Sequence, residues 1–249
     1  MTAIVSSMVP RLLRASFGAA APWLSNRCAT SPSVVSARRF ALVVQMVAVL
    51  SATAGLASAQ DTAEQPATPP EKSATSSAAR FLGGGLAGLV AHESGHLLFD
   101  AVFDANPGIK KVSFHGIPFF AITHDSGLSP RKEFVIDSAG FWVQEATNEI
   151  ILTKRPNLRR ESAPFTKGVV AFNVLASAAY AGAAFARTGP DERDTRGMAD
   201  AIGWKEPYVG LLILAPAILD AVRYFHPEAR WAVWGSRGAK AFSVVLVLK

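Results

Sequence analysis

Residues 80–104 read RFLGGGLAGLVAHESGHLLFDAVFD, and the rest of the chain is organised around this stretch. It reads as one apolar helix with His92, Glu93 and His96 in an HExxH pattern at its centre. On a helix, residues four apart share a face one turn up, so His92 and His96 can aim ring nitrogens at one ion. Glu93 sits one step round, where a carboxylate can reach a water on that ion. This is the geometry of a zinc-bound water attacking a carbonyl, with the glutamate as general base. No charge falls between Phe81 and Ala91. The span is about the 20 apolar residues a bilayer crossing needs. Ionisable groups in such a span are costly unless paired or ligating, which favours a site over a core helix with two satisfied histidines.

The whole chain has 249 residues, 50% of them hydrophobic, and a net charge of +6. Its single cysteine, Cys28, excludes an internal disulfide and a multi-cysteine zinc site. The basic residues lie in short segments between apolar runs, as in membrane-protein loops, and not in a nucleic-acid-binding stripe. No nucleic-acid partner is therefore expected; the expected partners are the membrane and a membrane-protein or peptide substrate.

Residues 1–60 contain no Asp or Glu and carry five arginines before an apolar run that ends Ala57-Ser58-Ala59. That pattern reads as a signal peptide or N-terminal membrane anchor, with an organelle transit peptide as the alternative. Residues 61–79, rich in Pro, Ser, Thr and Ala, read as a disordered linker. The folded, membrane-embedded domain is expected over 80–249, in a bacterial inner (cell) membrane.

Beyond the first helix, Asn106-Pro107-Gly108 is a stop signal. Residues 110–123, rich in β-branched and aromatic side chains, read as a short hairpin or extended segment at the membrane face. His115 and His124 lie on or beside it, either as ligands or as plain loop residues. Further helices are expected over 134–152, 169–186, 204–225 and 231–248. The first of these carries Asp137, Gln144, Glu145, Asn148 and Glu149 among bulky apolar residues. The second is rich in small residues suited to close membrane packing, with Asn173 as its polar exception. The last is the weakest membrane candidate, because Arg237 and Lys240 fall mid-span, and reads as an interfacial helix with Trp231 and Trp234 at the boundary. Asp194 in DTRGM reads as a capped helix N-terminus. Lys and Arg are shared almost evenly between alternate loops, so no orientation follows. The fold class expected is mainly α: a polytopic membrane bundle of four to five helices with a short β-like segment after the first.

This combination resembles the site-2 protease family of intramembrane zinc metalloproteases. The resemblance is specific over residues 86–100 and looser over 101–225. It implies zinc held by His92, His96 and an Asp opening a later helix, for which Asp194 is the best-placed match, with Glu93 as the catalytic base. Ala139-Gly140 followed by Gln144 and Asn148 is similar to the family's Ala-Gly helix, whose polar amide faces the site, and Asn173 could play a related part. Two departures stand out. Phe141 replaces the usual proline after Ala-Gly, and the family's Asn-Pro-x-x-x-Asp-Gly run is absent. Rival third ligands are Asp191, Glu145 and Glu149. Asp100, one turn beyond His96, could orient a ligand histidine by accepting its other N–H, or it could be an interfacial charge near the helix end. The expected activity is peptide-bond hydrolysis; the alternatives are a non-peptidase membrane scaffold or metal-binding protein, and a transporter with a buried His/Glu cluster.

Overall fold

The computed structural model describes residues 74–114 and 117–248. The signal or anchor expected over 1–60, most of the linker, and His115 lie outside the described residues. Among them are six α-helices, one 3-10 turn and one two-stranded sheet: α1 Ala74–Phe103, β1 Gly108–Phe114, β2 Ile117–Thr123, α2 Pro130–Lys154, the turn Leu158–Arg160, α3 Pro164–Ala186, α4 Asp194–Ile202, α5 Glu206–Phe225 and α6 Arg230–Leu248. The mainly helical class and the hairpin after the first helix are as expected.

The first helix begins six residues earlier than its apolar run, at Ala74. Residues 74–79, ATSSAA, contain no proline and three alanines, so a helix nucleated by the packed segment extends through them. It ends at Phe103, because Asp104 and Asn106 turn into the left-handed region at φ 55° and 53°. The chain then reverses into β1, which pairs antiparallel with β2 in the register Gly108↔Thr123 to Phe114↔Ile117.

Glycines set the closest helix contacts. A Cβ at Gly84 would strike the Phe165 carbonyl, and one at Gly168 would strike that of Phe81. Helices α1 and α3 therefore run side by side in parallel, backbone against backbone. Gly95 faces Ala139 and Gly140, which sets α2 antiparallel to α1. Gly210 meets Ala181 and Ala184, which sets α5 antiparallel to α3. Phe134 and Phe141 of α2, Met198 of α4 and Val209, Leu212 and Ile213 of α5 form the main apolar core. In the basic segment 154–160, Leu158 is fully buried with Ala163 and Val170. Burying such a side chain contributes about 1.5–3 kcal/mol.

The inward stripe of α1 is Gly84, Gly88, His92, Gly95, His96 and Asp100, whereas Leu82, Leu86, Val90 and Leu97 face outward and are exposed. Among the described residues two helices, α3 and α5, are long and apolar enough to cross a membrane. The mid-span charges of α6 turn inward. Arg237 and Lys240 reach Glu149 of α2, and Lys240 also reaches Asp220 of α5 at 2.9 Å. Arg223 completes the network with Glu149, Asp220 and Ser236. The charges that weakened α6 as a membrane helix are the ones that dock it, and Trp231 and Trp234 remain exposed on its outer side.

Candidate metal centre

The spacing read on α1 survives folding. His92 and His96 are both buried on its inner face, with their Nε2 atoms 3.3 Å apart. Asp194 arrives from α4, placing Oδ2 3.2 Å from His92 Nε2 and 3.5 Å from His96 Nε2. Asp194 is not the cap of its helix. Arg193 takes that position in extended conformation, and Asp194 is the first helical residue, so its carboxylate is free to turn toward the histidines.

Three donors at these separations fit a tetrahedral metal ion. Zn–N and Zn–O bonds of about 2.0–2.2 Å place tetrahedral ligands about 3.3–3.6 Å apart. The observed edges of 3.2, 3.3 and 3.5 Å come close to one face of such a tetrahedron. These are the residues that could hold a metal ion. Two imidazoles and a carboxylate are a donor set for a divalent transition metal, and three protein ligands leave a further coordination position open.

Each ligand is held from behind. His96 Nδ1 donates to the Ile136 carbonyl at 2.8 Å, which fixes the tautomer that leaves Nε2 free to ligate. Asp100 does not fill that role. It is fully buried one turn away with neither carboxylate oxygen hydrogen-bonded, and the nearest base is His124, 3.8 Å from Oδ1. His92 is fixed by packing. Gly140 leaves the space its ring occupies, since a Cβ there would overlap all three imidazole atoms nearest it. Phe141 meets the ring edge-on at 5.2 Å, and Tyr180 stacks on it at 5.8 Å. Phe141, where the resembled family has proline, is thus a wall of the site.

Sequence reasoning missed Tyr180, whose side chain is within hydrogen-bonding reach of Asp194. The available signal was a lone phenol within the alanine-rich run AAYAGAAFA. Gln144, Asn148 and Asn173 form a polar seam between α2 and α3: Asn173 donates to Asn148 Oδ1 at 2.8 Å, and Ser177 donates to Gln144 Oε1 at 3.3 Å. Among the described residues none of the three hydrogen-bonds to His92, His96 or Asp194. The rival ligands lie elsewhere. Glu149 binds Arg223, Glu145 meets Ser243 of α6, and Asp191 pairs with Arg196. His124 pairs with Glu133 at 2.6 Å.

Glu93, His96 and Asp194 line a cavity of about 390 Å³, lined as well by Phe120 and Ile122 of β2, Tyr180 of α3 and Arg193 before α4. An ion pair between Lys110 of β1 and Glu192 ties the hairpin to the loop that carries Asp194. The Lys110 hydrogen bond holds the Glu192 carboxyl below its ordinary value of 4.5. Arg193 braces the same loop through a bidentate pair with Glu206 at 2.6 Å. No family model, curated protein or solved structure matches this chain.

Proposed function

We propose that this protein is a membrane-embedded zinc metallopeptidase. The observation that carries the reading is the His92–His96–Asp194 triangle, set at tetrahedral spacing beside Glu93 on the wall of a cavity. A zinc ion bound there would polarise a peptide carbonyl and acidify a water. The chain's own residues supply the rest. Glu93 takes a proton from the attacking water as the new C–O bond forms, and returns it to the amide nitrogen as the C–N bond breaks. Tyr180 and Phe141 hold the His92 ring and keep its inner side dry, which strengthens charge interactions at the site. The β2 side of the cavity leaves room for an extended peptide beside Glu93.

The inside-out pattern of α1 supports the membrane part of this reading. Small and polar residues point inward while Leu82, Leu86 and Val90 are exposed, as expected where lipid and not water surrounds the bundle. The α3 and α5 helices add the length and hydropathy of spanning segments.

The test pairs metal content with hydrolysis in detergent-purified protein. Zinc at about one per chain, together with cleavage of a membrane-derived peptide that E93Q abolishes while keeping zinc, is the expected result. Zinc without cleavage in the wild type, against a broad peptide set, would overturn the peptidase and leave a metal-binding protein.

A further inference from the structure

A second cavity, of about 330 Å³, lies between α3 and α5, away from the metal centre. Val174 and Ala178 of α3 and Ala217 and Ile218 of α5 line it, and Phe225 and His226 mark one end. Its walls belong to the two helices long and apolar enough to cross a membrane. The seam is recessed because alanines stand where larger side chains would fill it, and Ala178 and Ile218 are exposed along it. An apolar recess of this kind offers no polar group to satisfy and suits a hydrocarbon chain, which supplies the missing dispersion contacts.

The end of the recess selects the lipid. The Arg159 guanidinium lies 5.4 Å over the Phe225 ring. Among the described residues no carboxylate pairs with Lys154, Arg159, Arg160 or Arg230 at this end of the bundle, where Arg155 is matched by Glu161 and Arg223 by Glu149 and Asp220. His226 has Glu228 at 3.5 Å. Arg159 is thus a cation without a carboxylate partner at the mouth of an apolar slot, with the His226 imidazole as a hydrogen-bonding neighbour, and it matches an anionic head group.

We infer that this slot binds an anionic phospholipid, its acyl chain between α3 and α5 and its phosphate against Arg159 and His226. The inference rests on the membrane part of the reading above and not on the peptidase part.

The test uses the full chain in mild detergent and native mass spectrometry with phosphatidylglycerol and phosphatidylcholine of matched acyl chains. The wild type is expected to retain phosphatidylglycerol at about tenfold lower lipid concentration than phosphatidylcholine. The R159Q/H226Q variant is expected to bind the two lipids alike, and A178F, which fills the recess, to lose the bound lipid. All three substitutions are at exposed positions, and unchanged unfolding temperature confirms intact folding. Equal retention of the two lipids by the wild type, or an undiminished preference in R159Q/H226Q or A178F, overturns the slot and leaves the membrane reading standing. Release of the chain from membranes by alkaline wash without detergent overturns the membrane reading and the slot together.

Discussion

Asp194 Oδ2 lies 3.2 Å from His92 Nε2 across 102 residues of chain. Three helices must be placed before those atoms can meet: α2 antiparallel to α1, α3 parallel to it, and α4 folded back over both. The metal site is therefore a property of the packed bundle, and its variants separate ligation from folding.

Removing either kind of ligand should empty the site. H96A and D194A are expected to purify with less than about a tenth of a zinc per chain, against about one for the wild type. D191N, E145Q and E149Q are expected to keep zinc, since those carboxylates lie in other networks. Elemental mass spectrometry reads all five, and zinc retained in D194A would remove Asp194 from the ligand set.

Glu93 is expected to matter for chemistry and not for binding. E93Q keeps the shape and a hydrogen-bonding head but cannot accept the water's proton. Hydrolysis should fall by about 10²–10⁴-fold at unchanged zinc content. Turnover near the wild-type rate would assign the base elsewhere.

Gly140 should behave as a residue of the metal site although it carries no side chain. G140A puts a methyl group into the volume of the His92 ring. We expect about 1–3 kcal/mol of overpacking and at least about a tenfold loss of zinc affinity, measured by competition with a chelator. The control is G182A, where a Cβ meets nothing within 4 Å. That variant should keep its zinc and gain up to about 1 kcal/mol from reduced backbone entropy.

The α2–α5–α6 network should be costly to break from one side. Asp220 and Arg223 are 1% and 4% exposed, so R223M removes one counter-charge from a buried network in which Lys240 still pairs with Asp220 and Glu149. A loss of about 1.5–3 kcal/mol is expected in unfolding measurements in detergent. D220N combined with K240M removes one charge of each sign and should cost less than the sum of the single changes. Strict additivity would mean that Asp220 and Lys240 are not coupled.

The link between hairpin and loop should be sensitive to acid. Glu192 has a folded pKa below its ordinary 4.5, so its contribution is fully present above that value and is lost as pH falls through the lower folded one. Hydrogen exchange at β1 should be constant in protection from about pH 8 to 5, relative to intrinsic rates, and weaken below about pH 4. E192Q should flatten the profile, and an unchanged acid limb in that variant would place the transition in another carboxylate.

Much of the architecture was legible because hydropathy and turn chemistry act locally. The apolar runs gave the helices to within a few residues, and the stop at Asn106-Pro107-Gly108 followed by β-branched residues gave the hairpin. The charged face of α6 was harder to read. In a single sequence Arg237 and Lys240 count only as penalties, and their partners Glu149 and Asp220 stand 88 and 20 residues away.

By itself the sequence determined the pair of histidines one turn apart and the glutamate beside them, since helical periodicity puts them on or next to one face wherever the helix packs. It also determined which segments are apolar enough to be helices of a bundle. Only the tertiary structure decided which carboxylate completes the triangle, that Ile136 and not Asp100 orients His96, and that Phe141 and Tyr180 wall the site. Those relationships depend on which faces of α1, α2 and α3 are pressed together, and the glycine contacts that fix those faces act across helices, where no periodicity within one segment can reveal them.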